Sequence, residues 1–134
     1  MSRENVEIVR SIFAAWARGD YTSAEWAHPK IGLVIADGPT PGSWTGVAAM
    51  AEAWREALSA FEELRAEADE YRALDDERVL VLMHFNGRGK TSGLEVGDIH
   101  MKGANLFHVR GGKVSKLVLY WDRERAFADF GLSE

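Results

Sequence analysis

Apolar residues recur at intervals of three and four in two parts of the chain, which is the spacing of one helix face. Near the N-terminus this stripe consists of Val6, Val9, Ile12, Phe13 and Trp16. Ser2 is suited to cap the predicted helix and Gly19 to end it. The second stripe consists of Val47, Met50, Trp54, Leu58 and Phe61. Thr45 is suited to cap this second helix, so the pattern predicts a helix at both places.

Two further helices are predicted from capping residues and chain breakers. Asp20 can cap a short helix over residues 21–27, which must end before Pro29 because the residue before a proline disfavours helical geometry. Near the C-terminus, Asp122 can cap a last helix that Gly131 ends. The residues of this last helix expected to face inward are Ala126, Phe127 and Phe130.

Branched and aromatic residues dominate the second half of the chain, which is typical of β-strands. The segment RAEADEYRAL from Arg65 is compatible with a helix or a polar-faced strand, and we favour the strand. Strands are also predicted for KIGLVIAD, RVLVLMHFNG, DIHMKGANLFHV and KVSKLVLYW. Helices followed by hairpins indicate an α+β fold, with three N-terminal helices on a curved antiparallel sheet and a short C-terminal helix. Such a cone-shaped α+β barrel offers an open end for a small-molecule pocket.

Composition narrows the classes of function. The 134 residues suit one domain, and 46% hydrophobic with 28% charged residues is the balance of a globular protein rather than a membrane protein. The formal net charge of -5 argues against nucleic acid as a partner, since phosphate binding needs clustered Lys and Arg. The chain has no cysteine, and MSRENVEIVR lacks the apolar core of a signal peptide. A cytoplasmic location is therefore expected.

The stretch IADGPTPGSWTG places Asp37 between an apolar strand and a loop rich in glycine and proline. In one interpretation its carboxylate accepts hydrogen bonds from backbone amides, because Asp-Gly is a common turn pair. In the other interpretation it lies at the mouth of a cavity, where partial loss of solvent favours general-base chemistry. The residues themselves leave both interpretations open.

Strand alternation selects candidates in DIHMKGANLFHV. The face expected to line the cavity carries Met101, Gly103, Asn105 and Phe107. An amide such as Asn105 at an inward position needs a hydrogen-bond partner, either in the protein or in a ligand. His84 is a candidate acid or base if it lines the cavity, and a satisfied histidine if it lies on the outer face.

Four tryptophans are candidate walls of the pocket. Trp16, Trp54 and Trp121 have the spacing of core residues, whereas Trp44 lies in the loop after Asp37 and is placed to form a lid or wall. The four histidines, at positions 28, 84, 100 and 108, form no compact ligand motif, so no metal site is predicted. No cofactor is implied either.

Four segments that together span much of the chain resemble one known family: ENVEIVRSIFAAWARGD, PGSWTGVAAMAEAW, GRGKTSG and VRGGKVSKLVLYWDRERAFADFGL. They resemble the first helix, the loop with the third helix, a hairpin, and the last strand with the tail of the SnoaL-like branch of the nuclear transport factor 2-like superfamily. The resemblance implies the same cone fold along nearly the whole chain, as a single SnoaL-like domain. This fold hosts isomerases, polyketide cyclases, dehydratases, epoxide hydrolases and binding modules, so the fold alone assigns no function.

The resemblance also implies roles for individual residues. Asp37 matches the loop in which ketosteroid isomerases carry their general base, and Asn105 matches the position of their protonated aspartic acid. Ile12 stands where those enzymes place a tyrosine and cannot donate a hydrogen bond, so steroid isomerisation is not expected. We predict proton transfer on an apolar, carbonyl-bearing or cyclic small molecule, with Asp37 as base and Asn105 helping to hold the oxyanion. A non-catalytic module that binds an apolar ligand is the alternative.

The predicted outer face of the sheet carries Val118 and Tyr120 beside Lys116. This face is more apolar than a fully solvated one should be. A homodimer through the sheets would cover it. A third alternative for the function is an interaction domain that uses this outer face alone.

Overall fold

The computed structural model describes residues 2–18, 25–37, 41–58, 61–91 and 94–131 of the chain. Side chains are described in these ranges except at residues 2, 57–58, 61–65, 85–91 and 94–101. In chain order, the described elements are α1 (Ser2–Ala17), β1 (Ala27–Ile35), β2 (Gly42–Thr45), α2 (Val47–Leu58), β3 (Phe61–Ala73), β4 (Arg78–Thr91), β5 (Leu94–Arg110), β6 (Lys113–Tyr120) and α3 (Arg123–Phe130). This order confirms the predicted α+β class.

The two predicted amphipathic helices are present. The buried apolar residues of α1 are Val9, Ile12, Phe13 and Trp16, as their spacing predicts. α2 ends at Leu58, and its predicted extension to Phe61 is wrong because Phe61 pairs with Gly89 in the ladder between β3 and β4. No helix within the described ranges is both long and apolar enough to cross a lipid bilayer.

The six described strands form one curved, open sheet in the order β2-β1-β6-β5-β4-β3. The strands from β3 to β6 form an antiparallel meander, as predicted for the second half of the chain. β1 lies parallel to β6, which the sequence patterns did not predict. The two edges are β2 and β3, so these strands do not close into a complete barrel.

The chain entering β1 differs from the short helix predicted over residues 21–27. Residues 21–24 lie outside the described ranges, and Ala27 is the first residue of β1, so the prediction is wrong at Ala27. Pro29 lies within this strand, where the register between β1 and β6 shifts between Ala27 and Gly32. Proline has no N–H to donate to a ladder, so it is tolerated at such an irregularity.

Two apolar layers lie on opposite faces of the sheet, because side chains alternate along each strand. The inner layer packs α1 and α2 against strand residues that include Leu33, Val79, Val81, Phe107 and Leu117. The outer layer packs α3 against alternate residues that include Leu80, Leu82, Leu106, Val118 and Tyr120. A candidate residue on a strand therefore faces the same apolar layer as the residues two positions before and after it.

α3 begins and ends where the sequence predicts. The carboxylate of Asp122 accepts a hydrogen bond from the Glu124 amide at 3.0 Å, which caps the helix. Gly131 ends the helix at a φ of 65°, in the left-handed region where glycine carries no steric penalty. Ala126 and Phe127 are buried against the sheet, which confirms their predicted inward orientation.

α3 also covers the apolar surface on which the homodimer prediction rests. Val118 is 8% exposed and Tyr120 is 5% exposed, and both pack in the layer that contains Phe127. Lys116, beside them, is exposed. These two apolar residues therefore offer little free surface to a second copy of the chain. The homodimer stays a prediction without that support.

Candidate functional site

Asp37 follows β1 and is held by the turn between β6 and α3. Its Oδ1 accepts a hydrogen bond from the Trp121 amide at 2.6 Å, and its Oδ2 accepts one from the Asp122 amide at 3.2 Å. The Asp37 side chain is half-buried. Each carboxylate oxygen carries two lone pairs, so each retains acceptor capacity beyond its amide. The carboxylate is thus fixed in orientation while still able to accept another hydrogen bond.

Asn105 lies in β5 on the inner face of the sheet. It is 1% exposed, and its partners on the neighbouring strands are Val81 and Leu119. Its Oδ1 has no hydrogen-bond partner among the described residues. An unpaired buried polar atom is rare, because nothing replaces the hydrogen bonds it made to water. Since an amide can turn over, this position can present either an acceptor or a donor to a ligand.

Aromatic rings dominate the inner layer near Asn105. Phe107, two residues further along β5, is fully buried, and its ring centroid lies 6.2 Å from that of Trp16. The ring of Trp54 in α2 lies 5.1 Å from Trp16. Trp44 of β2 is half-buried and packs against the same layer. The structure therefore brings these four predicted wall residues together around an apolar interior.

Asp37 and Asn105 lie in the same part of the sheet without touching. Ile35 pairs with Leu119 on β6, and Leu119 pairs with Asn105 on β5. Adjacent strands are about 4.8 Å apart, so Ile35 lies roughly 10 Å from Asn105 across β6. Asp37 is two residues beyond Ile35.

His84 lies on the outer face of the sheet, with Leu82, and not on the inner face with Phe107. Strand alternation separates it from the inner layer, so it does not line the predicted cavity. Its Nδ1 is 2.7 Å from Asp69 Oδ1, and its Nε2 is 3.2 Å from Glu67 Oε2. Neither this cluster nor any other within the described part of the chain has three His, Asp or Glu side chains arranged to hold a metal ion.

The remaining two predicted wall residues contribute less to the site. Trp121 is half-buried, and its backbone amide binds Asp37. The side chain of Met101 lies outside the described part of the chain. The structure therefore links Trp121 to the site through its backbone, while the prediction for Met101 rests on strand alternation alone.

Arg123, the first residue of α3, joins that helix to three strands. Its Nη2 donates to Asp69 Oδ2 at 2.8 Å and to the Met83 carbonyl at 2.7 Å, and its Nε donates to the Gly103 carbonyl at 3.2 Å. Burial by itself would raise the pKa of the Asp69 carboxyl. Hydrogen bonds from Arg123 and His84, together with the charges of both groups, outweigh burial and lower that pKa below its usual value.

Trp26 and Arg123 are residues of this region that the sequence patterns did not select. The ring centroid of Trp26 lies 6.2 Å from that of Trp16, and Trp26 falls within the segment 21–27 that was predicted as a short helix. Arg123 stands in the first turn of a helix, where a positive charge opposes the helix dipole. This unfavourable placement is a signal in the sequence that the Arg123 side chain has a specific partner. Nothing in the sequence identifies Asp69 as the partner.

A polar groove of about 540 Å³ lies at the opposite ends of β4, β5 and β6 from Asp37. Its lining residues include Glu4, Asp76, Glu77 and Arg110. The side chain of Asn5, also in the lining, donates to the Asp76 carbonyl at 2.7 Å. Because the lining carries three carboxylates and a guanidinium, this groove does not suit an apolar ligand and takes no part in the candidate site.

Sequence comparison gives one family match. A model of the SnoaL-like domain matches residues 9–117, which is most of the chain. A search of curated protein sequences finds no match.

Solved structures share the fold at low sequence identity. An NTF2-like protein of unknown function from Burkholderia pseudomallei K96243 is 18% identical, with a TM-score of 0.76 over 93% of this chain and 95% of that chain. A protein from Jannaschia sp. CCS1, provisionally assigned as a SnoaL-like polyketide cyclase, is 14% identical, with a TM-score of 0.74 over 89% and 85%. A protein with a ketosteroid isomerase-like fold from Catenulispora acidiphila DSM 44928, in complex with trimethylamine, is 17% identical, with a TM-score of 0.70 over 95% and 94%.

Proposed function

The chain belongs to the SnoaL-like domain family, and on that premise we propose that it is an enzyme that transfers protons on an apolar small molecule. The proposed substrate is carbonyl-bearing or cyclic and binds in the inner layer of the cone. The observation that carries the proposal is Asn105, which is buried on the inner face with an Oδ1 that has no hydrogen-bond partner among the described residues. A polar group of the substrate would pair with this side chain.

In the proposed reaction, Asp37 is the general base. A carbonyl group acidifies the neighbouring C–H, and Asp37 accepts that proton on a lone pair that the Trp121 and Asp122 amides do not use. The C–H electron pair moves toward the carbonyl oxygen. There the Asn105 amide, turned over so that its NH2 group faces the substrate, donates a hydrogen bond to the developing negative charge. Asp37 then gives the proton to another atom of the intermediate. Isomerisation, cyclisation and dehydration can each begin with this step.

The aromatic inner layer favours the same class of substrate. Trp16, Trp54 and Phe107 present apolar ring surface, and Trp44 is the proposed wall beside Asp37. Apolar walls keep water from the reacting atoms, which strengthens the hydrogen bond that Asn105 offers. The provisional cyclase assignment of the Jannaschia protein is compatible with one of the proposed outcomes.

A non-catalytic binding module is the second candidate, and the contacts of Asp37 favour it. Both carboxylate oxygens accept backbone amides, as a purely structural aspartate does at the end of a strand. In this case Asn105 and the aromatic rings would hold an apolar ligand without chemistry.

Exchange of α-protons on a bound ketone separates the two candidates. Acetonaphthone and tetralone are suitable probes, since both are apolar ketones whose α-protons are replaced by deuterium in D2O. We expect wild-type protein to catalyse this exchange and Asp37→Asn to slow it by roughly two to four orders of magnitude. Asp76→Asn, in the distant groove, is the matched control and should exchange at the wild-type rate. Binding without exchange in wild-type protein would support the binding module, and absence of binding would contradict both candidates.

A further inference from the structure

We propose that Arg123 is a positioning residue for Asp37, acting through the backbone of Trp121 and Asp122. The inference rests on the proposed function of Asp37 and adds the side chains that determine the orientation of its carboxylate. These side chains lie on the outer face of the sheet, opposite the inner layer in which the ligand is proposed to bind. They act on the site without touching the substrate.

The guanidinium of Arg123 is fixed to the sheet at one point. Met83 and Gly103 are directly opposed in the ladder between β4 and β5, and Arg123 donates to both of their carbonyls. A carbonyl oxygen has two lone pairs, so it can accept from the guanidinium in addition to a ladder bond. The Arg123 side chain is only 12% exposed. Moving it from these acceptors would leave a charged group unpaired in a nearly dry site.

Asp69 holds the same guanidinium from the edge strand. It lies where the register of β3 and β4 shifts between Ala68 and Glu70, and a bulge of this kind re-aims a side chain. Its Oδ2 accepts from Arg123 at 2.8 Å, and its Oδ1 is 2.7 Å from Nδ1 of His84. Each oxygen of Asp69 therefore has its own partner, which fixes the carboxylate against rotation. His84 thereby orients Asp69, and Asp69 orients Arg123.

The segment that Arg123 anchors is the segment that holds Asp37. Trp121, Asp122 and Arg123 are consecutive, and each peptide group from Tyr120 to Arg123 is a rigid plane, so only the backbone torsions of Trp121 and Asp122 separate the two amides from Arg123. Fixing the Arg123 side chain therefore restricts the two amides that bind the Asp37 oxygens. The bond from the Glu124 amide to Asp122 restricts the same turn from the helix side.

Helix stability does not account for this arginine. A cation in the first turn opposes the helix dipole, and an acidic or neutral residue would stabilise α3 better at that position. The contacts of Arg123 with Asp69, Met83 and Gly103 supply the reason for its presence. They also explain why a lysine would be a poor replacement, since a single ammonium group lacks the planar fork that reaches three acceptors.

The test compares Arg123→Gln and Arg123→Lys with Arg125→Gln. Arg125 is an exposed arginine of the same helix and serves as the matched control. Hydrogen exchange of the Trp121 and Asp122 amides and the NMR chemical shift of the Asp37 carboxyl carbon are the measurements. In Arg123→Gln we expect the two amides to exchange about tenfold faster or more, with a shifted Asp37 signal. Arg123→Lys should lie between this variant and wild type, and Arg125→Gln should match wild type.

The proposal is overturned if Arg123→Gln leaves these amides and the Asp37 signal unchanged. It is also overturned if exchange rises equally at the Val118 amide in β6, because a uniform increase reports a general loss of stability. Should Arg123→Gln fail to fold, Asp69→Asn weakens the same anchor and is measured in the same way. The proposed function would fail on a separate result, namely α-proton exchange on the ketone at the wild-type rate in Asp37→Asn. The amide hydrogen-exchange data would still decide the positioning role of Arg123.

Discussion

The amide of Trp121 donates a 2.6 Å hydrogen bond to Oδ1 of Asp37, a residue 84 positions earlier in the chain. The bond joins the end of β1 to the end of β6, next to the pair formed by Ile35 and Leu119. Asp37 therefore contributes to the stability of the sheet, whether or not it also accepts a proton from a substrate. Substitution at this residue separates the two contributions, because stability and proton exchange are measured independently.

Asp37→Ala should destabilise the protein by about 2 kcal/mol, because the amides of Trp121 and Asp122 lose a charged acceptor in a half-buried site. Asp37→Asn keeps one oxygen acceptor, so we expect a smaller loss of about 1 kcal/mol. Urea denaturation measures both free energies of unfolding. Wild-type stability in Asp37→Ala would contradict a structural contribution from the two amide bonds.

Asp69 should contribute to stability at neutral pH but not in acid. Burial opposes ionisation of its carboxyl, but the bonds from Arg123 and His84 prevail and place its pKa below the ordinary value of 3.8. The folded state then binds this proton less tightly than the unfolded state does. The contribution is therefore present above pH 3.8 and is lost as the pH falls below that value. Since the side chain is 37% exposed, solvent screening keeps the effect modest.

Asp69→Asn tests this pH dependence. The variant should be less stable than wild type at neutral pH, and the difference should shrink as the pH falls below 3.8. Urea denaturation at a series of pH values measures the difference. A gap between the two proteins that stays constant through the acid range would show that the Asp69 carboxylate is not the source.

Tyr120 should make the fold sensitive to alkali. Burial, and then the hydrogen bond from its hydroxyl to Asp129 at 2.9 Å, raise the pKa of Tyr120 from 10.0 to about 12. The folded state holds this proton more tightly, so the contribution is present below pH 10 and is lost as the pH rises through about 12. Tyr120→Phe removes the titration, and its stability should fall less steeply over that interval. A phenolate signal from Tyr120 with a midpoint near 10 in the folded protein would contradict the expectation.

Much of the fold could be predicted because its signals are local. The apolar stripe of α1, the caps at Asp122 and Gly131, and the alternation that turns Asn105 and Phe107 to one face each depend on residues a few positions apart. These features need no knowledge of distant parts of the chain. The confirmed elements are accordingly those with the most regular spacing.

The features that could not be predicted depend on contacts between distant residues. Phe61 continues the apolar spacing of α2, yet its pairing with Gly89 makes it a strand residue. Arg123 and Asp69 are 54 positions apart, and Asp69 lies where the register between β3 and β4 shifts. The amides that bind Asp37 come from the turn between β6 and α3, 84 and 85 positions later in the chain. No local pattern encodes these contacts, so the site could only be predicted in part.

Asn105 is the residue on which the proposed function depends most, and Asn105→Leu separates a role in ligand binding from a role in folding. Leucine has a similar size and no polar atom. Asn5→Leu is the matched control, because Asn5 is also buried, at 7% exposure, but its side chain donates to the Asp76 carbonyl at 2.7 Å. Removing that bonded amide should destabilise the protein by about 1–3 kcal/mol and leave ligand affinity unchanged.

The decisive measurement is the free energy of unfolding of Asn105→Leu, taken together with its affinity for acetonaphthone. Because the Asn105 Oδ1 has no partner among the described residues, we predict that the variant is at least as stable as wild type, by up to about 1 kcal/mol. Its affinity for the ketone should fall about tenfold or more, since the ligand loses its polar contact. An Asn105→Leu variant that is destabilised as much as Asn5→Leu and still binds the ketone with wild-type affinity would contradict the proposed site.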